Sequence, residues 1–485
     1  MNKELKKLPR QTSVKKNYVF NLCYQILVIL TPVITTPYVS TVLGADGIGQ
    51  YSYTSALIAM VLNIGGLGIA IYASRQVAYI RDNPIKVKEF CNEIFTVRAV
   101  LVFPMLVLYL FLLLFSKYHS LFLIQSIEIL FSVTNVDWYY TGRERFDATV
   151  MRNFILKIIS IICIFLFVKT GDDLLVYTFI QSGSLVGGYV LLYLPIRREL
   201  NLIKISFLHF REHLVGAMKL FLPQIAGSIY IYCDKIMLGL FTYNISENGF
   251  YEQSQKIIKL SSTLISTMSM VMLPRIANSI SCKREGEVKI YMEKSILFVF
   301  WIGTPIMCGI FSVADNLVPW FLGKSFYKSI NVLKILSPII IFNGIYNALG
   351  YQYLLASQKE RIMTITIMSG AFANVLLNAI LIPDFGAVGA ALASLVAEAL
   401  IAGSQAIYLR DLLQSFNIGL ELMKCIISAI LMAGIVSIIS VHLVPSIWHT
   451  VFLVLLGAVI YILLNIVLKT RLCKEIKHVI PKRLK

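Results

Sequence analysis

The chain has 485 residues, of which 57% are hydrophobic and 14% charged, and its formal net charge is +18. So much apolar surface excludes an ordinary water-soluble protein, because one soluble core of this size cannot bury it. The charge distribution also excludes a nucleic-acid-binding protein, since Lys and Arg fall in short clusters between apolar runs instead of on one face. A lipid bilayer is therefore the expected surrounding of the chain.

Cofactor signals are missing from the sequence. The eight cysteines lie mostly within apolar runs, without a CxxC pair or a Cys/His spacing typical of metal sites, and no Walker A motif is present. We therefore expect reduced cysteines and no cofactor. A cleavable signal is not expected either, because the first apolar run is too long for a signal-peptide core.

Apolar runs long enough to cross a hydrocarbon core of about 30 Å as helices occur about fourteen times. They lack the strict alternation of membrane β-strands, so the pattern predicts an all-α polytopic membrane protein. In chain order the predicted helices are 18–43, 47–74, 91–116, 121–140, 151–168, 174–195, 217–241, 251–274, 293–313, 329–356, 362–382, 387–409, 421–441 and 449–468.

Lys and Arg are concentrated in both tails and in every second loop between these helices. The positive-inside rule then predicts that both termini are cytoplasmic, and the basic loops are expected to contact anionic membrane lipids. The opposite loops are short, which leaves no room for a domain outside the membrane.

Parts of the first helix pair recur at an offset of 200 residues. The corresponding residues are Gly49 and Gly249, Tyr51 and Tyr251, and Arg75 and Arg275. A looser match relates 139–145 to 355–361, each at the cytoplasmic end of a predicted helix. The repeats predict two parallel six-helix halves followed by two more helices.

The predicted domains follow from this duplication. They are a cytoplasmic basic tail (1–17), an N-lobe of helices 1 to 6 (18–200), a cytoplasmic linker (201–216), a C-lobe of helices 7 to 12 (217–410), helices 13 and 14 (421–468), and a cytoplasmic basic tail (469–485).

Several motifs carry a family resemblance, namely 35–40 (Thr-Thr-Pro-Tyr-Val-Ser), 43–49 (Leu-Gly-Ala-Asp-Gly-Ile-Gly), 74–75 (Ser-Arg), 81–82 (Arg-Asp) and 234–239 (Asp-Lys-Ile-Met-Leu-Gly). With them the chain resembles the Wzx-type polysaccharide flippases. Their superfamily also contains multidrug and toxic-compound extruders and the lipid II flippase.

The resemblance implies two six-helix lobes around a central cavity and an activity that is transport, not enzymatic catalysis. The implied substrate is an undecaprenyl-pyrophosphate-linked oligosaccharide, moved from the inner to the outer leaflet of the bacterial cytoplasmic membrane for capsule, exopolysaccharide or O-antigen synthesis. A polysaccharide polymerase and chain-length machinery are the implied protein partners. A cation-coupled multidrug extruder of the same fold and a membrane glycan polymerase are the alternatives.

Ionisable residues within predicted membrane helices are candidate site residues, because they are costly in a bilayer. Lys256 and Lys259 share a face of helix 8 with Glu252, which lies four residues before Lys256, and Lys235 precedes them on helix 7. Such cations could bind a pyrophosphate. The alternative is an interfacial ion pair of Glu252 with Lys256, and a Lys259 side chain that extends to the headgroups.

The remaining candidates fall into two groups. Arg75, Arg275, Arg98, Gln25 and Gln253 complete the predicted pyrophosphate and glycan site, and Asp234, Glu252, Asp137 and Glu398 are predicted structural or coupling acids. Asp234 could instead form a structural pair with Lys235, and Asp137 could be solvated at the interface. Asn63, Tyr230, Tyr232, Asn347 and Tyr351 could also face a glycan, although polar side chains equally join membrane helices. Finally, 65–68 (Gly-Gly-Leu-Gly) favours a bend or a close helix approach in helix 2, although membrane helices also tolerate glycine without either.

Overall fold

The computed structural model describes residues 14–197, 200, 203, 206–471 and 473, and over this part of the chain the regular secondary structure is entirely helical. The α-helices are α1 (Val14–Gly65), α2 (Ile69–Ile80), α3 (Pro84–Leu114), α4 (His119–Leu130), α5 (Asp137–Gly142), α6 (Phe146–Phe167), α7 (Leu174–Tyr193), α8 (Phe207–Phe241), α9 (Ser246–Ser281), α10 (Glu285–Phe321), α11 (Ser329–Leu336), α12 (Ile339–Tyr346), α13 (Glu360–Phe385), α14 (Ala387–Tyr408), α15 (Arg410–Gln414), α16 (Gly419–Val441) and α17 (Ile447–Val467). A π-helix, Asn347–Leu354, follows α12 directly.

Eleven helical segments among the described residues are long and apolar enough to cross a membrane, or up to twelve when a bent pair counts as one span. This confirms the predicted all-α polytopic membrane protein. The predicted count of about fourteen spans stays a prediction.

The first two predicted helices are divided differently in the structure, because α1 contains the boundary between them and the second one is bent. α1 consists of two helical stretches joined at Gly44, whose φ of 66° and ψ of −178° are not helical. The predicted bend at residues 65–68 is confirmed, since Leu30–Gly65 and Ile69–Ile80 are inclined by 48°. Gly68 and Leu67 both have positive φ there, so the backbone leaves the helical region at the bend.

Two predicted helices are broken in the structure. The predicted helix 121–140 consists of α4, a 3₁₀ turn at Phe131–Thr134 and α5. The predicted helix 329–356 is divided at Pro338 into α11 and α12, because proline has no amide hydrogen to continue the helical hydrogen bonding. In both places the broken helix exposes backbone groups that an unbroken helix would satisfy.

Contacts divide the chain into two compact units. The first unit comprises Met1–Thr35 and Leu57–Ile225, and the second comprises Thr36–Ala56 and Ala226–Lys485. The turn of α1 thus belongs to the second unit by its contacts. The predicted lobe boundaries themselves stay a prediction.

Each unit has its own apolar core. In the first unit, Val77, Ile94 and Trp138 are buried members of one cluster. In the second unit, one cluster includes Ile276 and Met292, and another includes residues of α10, α16 and α17. Burying such side chains by helix packing leaves other large apolar residues exposed on the same helices, as expected for faces that contact lipid.

Within the second unit the two copies of the repeated turn pack directly against each other. A Cβ on Gly49 would lie 2.1 Å from the carbonyl oxygen of Ile245, and one on Gly249 would lie 2.2 Å from that of Ala45. The two contacts are equivalent, since Gly249 and Ile245 are the repeat equivalents of Gly49 and Ala45. The arrangement is therefore symmetric about the crossing. Only glycine allows the two helix starts to approach so closely.

Candidate functional site

A three-residue ionic cluster joins α8 to α9 in the second unit. Lys235 Nζ lies 2.5 Å from Glu252 Oε2, and Lys256 Nζ lies 3.7 Å from Glu252 Oε1. Ser52 donates a hydrogen bond of 3.1 Å to Glu252 Oε2. The exposed fractions of the side chains are 16% for Lys235 and Glu252 and 35% for Lys256. With all three groups ionised the cluster carries a net positive charge, part of which remains accessible.

Lys259 extends this positive surface along α9. It lies three residues after Lys256 and its side chain is exposed. Among the side chains that the structure describes, Lys259 has no ion-pair partner. The face of α9 therefore offers one cation held by Glu252 and a second that is not held by a carboxylate.

Asp234 is the centre of a separate, buried polar network. Its side chain is 2% exposed and accepts hydrogen bonds from Tyr251 Oη, from Ser394 Oγ at 2.9 Å and from Asn378 Nδ2 at 2.6 Å. Asn378 also donates to Asn374 Oδ1 at 3.1 Å. These partners come from α9, α13 and α14, so the carboxylate joins three helices to α8.

The sequence left open that Asp234 and Lys235 are a structural pair that tethers helices, and in the structure the two side chains have different partners. Neighbouring residues of a helix point about 100° apart, which directs Asp234 into the packed interior and Lys235 towards Glu252. Each side chain joins α8 to other helices, but through different partners.

Glu398 forms a third polar group, at the middle of α14. It is 5% exposed and accepts a hydrogen bond of 2.6 Å from Tyr230 Oη and one from the side chain of Asn343. Asn347 donates to the Asn343 side chain at 2.9 Å. Tyr230 and Asn347, both proposed from sequence as glycan-facing, are thus assembled around one carboxylate.

Gln253 lies inside the packed second unit. Its exposed fraction is 1%, and no described protein atom donates a hydrogen bond to its Oε1. The structure does not bring Gln253 to the accessible side of the ionic cluster. The side chain of Gln25 lies outside the described part of the chain.

The two repeat-related arginines are both exposed but differ in their surroundings. Arg75 donates a hydrogen bond of 2.9 Å to Tyr79 Oη, and its guanidinium lies 5.6 Å from the centroid of that ring. Arg275 lies 19 residues after Lys256 on α9, which places the two about 28 Å apart along the helix. Arg275 is therefore not part of the ionic cluster.

Charged residues of the first unit are engaged in structural contacts. Arg98 donates to the backbone oxygens of Asn135 and, at 2.6 Å, Ser132, which are freed where the helix breaks after α4. Asp137 forms an ion pair of 2.8 Å with Arg152. Arg98 thus supplies hydrogen bonds to backbone oxygens at the break, and Asp137 joins α5 to α6.

Several residues of these networks were missed from the sequence. Glu128 lies within a predicted helix and accepts a hydrogen bond of 2.5 Å from Ser182, so the rule for intramembrane charges could have found it. Ser52 is the repeat equivalent of Glu252 and could have been found through the offset of 200. Ser394 and Asn378 carry no local signal, because their partner Asp234 is distant in sequence.

The helical architecture and these networks define a polytopic α-helical membrane protein with an internally repeated helix pair and a cationic cluster. The chain belongs to the polysaccharide biosynthesis protein family, which it matches over residues 14–280. This confirms the resemblance to Wzx-type proteins that the motifs indicated.

Curated relatives agree with the family. A putative O-antigen transporter of Escherichia coli K12 is 23% identical over 405 residues, which are 82% of this chain and 97% of the relative. A probable low-salt glycan biosynthesis flippase of Haloferax volcanii is 25% identical over 298 residues, 61% of each chain. Both relatives carry the names of transport proteins.

A solved structure shows the same fold. The lipid II flippase MurJ in an inward closed conformation matches with a TM-score of 0.75 and 16% identity, over 93% of this chain and 98% of that one. The match extends over almost the whole chain.

Proposed function

We propose that this protein translocates lipid-linked oligosaccharide repeat units, carried on undecaprenyl pyrophosphate, from the inner to the outer leaflet of the bacterial cytoplasmic membrane. It acts as a transporter without catalysing a chemical reaction, and both of its termini are cytoplasmic. The product of translocation feeds surface polysaccharide synthesis, so a polymerase and its chain-length machinery are the expected partners. The observation that carries the proposal is the accessible positive cluster of Lys235, Glu252 and Lys256.

The pyrophosphate is the part of the substrate that most needs a protein partner. Two or so negative charges cannot leave water for a low-dielectric site without compensating cations. Lys235 and Lys256 supply two such cations, and Glu252 keeps them from repelling each other while the site is empty of substrate. Lysine suits this role because it binds phosphate as a point charge and releases it again.

Glu252 makes the capture reversible. An arriving pyrophosphate competes with the carboxylate for the ammonium groups of Lys235 and Lys256, and Ser52 still donates to the carboxylate that has been displaced. The exchange replaces the ion pairs of the two lysines with Glu252 by ion pairs with the pyrophosphate, and the displaced carboxylate keeps the Ser52 hydroxyl as its hydrogen-bond donor. Lys259, one turn further along α9, provides an additional cation for the second phosphate.

The membrane potential favours transfer of an anion to the outside. An interior-negative potential contributes about 2.3 kcal/mol per charge per 100 mV, hence about 4 to 5 kcal/mol for two charges. This is enough to bias the direction of alternating access without a nucleotide.

The sign of the cluster separates this proposal from a multidrug extruder of the same fold. A cationic drug would be repelled by Lys235, Lys256 and Lys259, whereas an anionic lipid headgroup is attracted. The names of the curated relatives support the same choice.

The test is translocation of pyrophosphate-linked oligosaccharides in proteoliposomes with Lys235, Lys256 and Lys259 all replaced by Gln. We expect transport to fall at least about tenfold, since removing the charged partners of a phosphate typically costs more than 1.4 kcal/mol. The control replaces three exposed lysines at helix ends, Lys86, Lys88 and Lys283, and so changes the net charge equally. Unchanged transport in the first variant, or an equal loss in both, would contradict the proposal.

A further inference from the structure

A second polar surface of the second unit differs in chemistry from the lysine cluster. Its members are Tyr230, Asn343, Tyr346, Asn347, Tyr351 and Glu398, from α8, α12, the π-helix and α14. The rings of Tyr346 and Tyr351 lie 5.3 Å apart at an angle of 68°, and their hydroxyl groups are hydrogen-bonded. Three tyrosines, two amides and one carboxylate thus form a continuous group.

The exposed part of this surface is aromatic, and its buried part is polar. Tyr351 is 39% exposed, whereas Glu398 is 5% exposed. The hydroxyl group of Tyr346 is hydrogen-bonded to that of Tyr351, and Tyr346 lies on the same helix, α12, as Asn343, which donates to Glu398. Glu398 lies at the middle of the candidate membrane span Ala387–Tyr408, and an ionisable group at that depth normally faces a protein interior or a water-filled cavity.

Glu398 has acceptor capacity beyond the contacts it makes. A carboxylate offers about four lone-pair sites. Tyr230 and Asn343 occupy two of them, and among the described residues no Lys or Arg forms an ion pair with Glu398. Hydroxyl groups of a ligand can occupy the rest, while a phosphate would be repelled.

The backbone of this surface is unusual. Asn347 and Tyr351 lie on the π-helix Asn347–Leu354, and π-helical segments are rare and frequent at functional sites. The wider turn changes the direction of the side chains relative to an α-helix. Asn347, the first residue of the π-helix, donates to the side chain of Asn343 one turn earlier, and the ring of Tyr351 remains exposed.

We infer that the Tyr346 and Tyr351 face is a saccharide subsite, in which the ring of Tyr351 packs on the apolar face of a sugar and the side-chain oxygens of Glu398 and Asn347 accept hydrogen bonds from its hydroxyl groups. The inference rests on the proposed function and names where the oligosaccharide binds. Tyr230 and Lys235 lie five residues apart on α8, about 7.5 Å along the helix axis and about 140° around it.

The test measures binding of two probes to the purified full-length protein by native mass spectrometry. One probe is undecaprenyl pyrophosphate, and the other is the pool of pyrophosphate-linked oligosaccharides extracted from the cells that produce this protein. For the unsubstituted protein we expect tighter binding of the sugar-bearing lipids. In Tyr351→Ala their affinity falls about tenfold and that of the sugar-free lipid is unchanged, because only the ring contact is lost.

Three further variants make the result specific. Tyr351→Phe keeps the ring and retains the preference for the sugar-bearing lipids, whereas Tyr351→Leu keeps the apolar volume and loses it. Tyr243→Ala removes a fully exposed tyrosine elsewhere and changes neither affinity. An equal effect of Tyr351→Ala on both probes, or no preference in the unsubstituted protein, overturns the subsite and leaves the pyrophosphate site intact. Failure of the unsubstituted protein to bind either lipid overturns the proposed function as well.

Discussion

Replacing Glu252 with Gln tests whether the lysine cluster binds an anion or only holds helices together. The change keeps the shape of the side chain and removes the negative charge between Lys235 and Lys256, whose ammonium groups lie 2.5 Å and 3.7 Å from its carboxylate oxygens. Two cations then remain within about 8 Å of each other, a repulsion of about 2 kcal/mol at an effective dielectric constant of about 20.

The total cost is larger than this repulsion, because the attraction of each lysine to the carboxylate is also lost. Breaking a buried ion pair typically costs about 3 to 5 kcal/mol. Since the Lys256 side chain is 35% exposed and partly solvated, we expect Glu252→Gln to lower the free energy of unfolding by about 2 to 4 kcal/mol. The melting temperature of the purified protein should fall by several degrees.

The informative measurement is the rescue of this loss by undecaprenyl pyrophosphate. A ligand at 100 times its Kd stabilises the folded state by about 2.7 kcal/mol. In the variant the pyrophosphate no longer competes with Glu252, so the rise in melting temperature on adding the lipid should exceed that of the unsubstituted protein.

Glu247→Gln is the matched control. Glu247 also binds a lysine, with 3.1 Å between its Oε1 and Lys328 Nζ, and its Oε2 accepts a hydrogen bond of 2.9 Å from the amide of Ala387. Its loss should destabilise the protein without increasing the response to the lipid. Equal rescue of both variants, or rescue of neither, would refute the assignment of the cluster to pyrophosphate.

Two further substitutions test the packing around the site. Gly49→Ala should destabilise the protein by about 1 to 3 kcal/mol in thermal unfolding, because its Cβ would lie 2.1 Å from a carbonyl oxygen. Gly434→Ala is the control and should be neutral, because no atom lies within 4 Å of its Cβ. Equal melting temperatures of the two variants would contradict the close crossing. Asp234→Asn should lower the free energy of unfolding by about 1 to 3 kcal/mol, because an amide nitrogen then replaces one of the two carboxylate oxygens that accept from Tyr251, Ser394 and Asn378. An unchanged melting temperature would show that this network does not stabilise the protein.

The features that could be predicted from the sequence are those encoded by neighbouring residues. Long apolar runs predicted the membrane helices, and the four-residue spacing of Glu252 and Lys256 predicted their pairing, which the structure has. The glycine-rich stretch at 65–68 predicted the bend. Each of these features depends on the type and spacing of neighbouring residues, which can be read from the sequence.

The features that could not be predicted depend on helix rotation and on distant partners. A structural role of Asp234 in tethering helices was one of two alternatives from the sequence, but its partners Asn378 and Ser394 could not be named because they are 144 and 160 residues away. The π-helix that carries Tyr351 has no sequence signature, since its wider turn follows from packing between helices. Tyr230, Asn347 and Glu398 could therefore be named one by one from the sequence, but their association in one polar group could not be predicted.

The paired turns explain why the site is asymmetric although the chain is duplicated. At the crossing in the second unit, Ser52 donates to Glu252 and Ser246 donates to Asp46, and in both pairs the partners are related by the offset of 200. Two copies with the same acid would place carboxylates against each other, which is unfavourable in a buried contact. A hydroxyl opposite each acid removes the repulsion, and it leaves each copy with a carboxylate at a different position. Only the second copy then places its carboxylate beside Lys235 and Lys256. The cationic cluster is therefore confined to one copy, because the acid and the serine stand at different positions in the two turns.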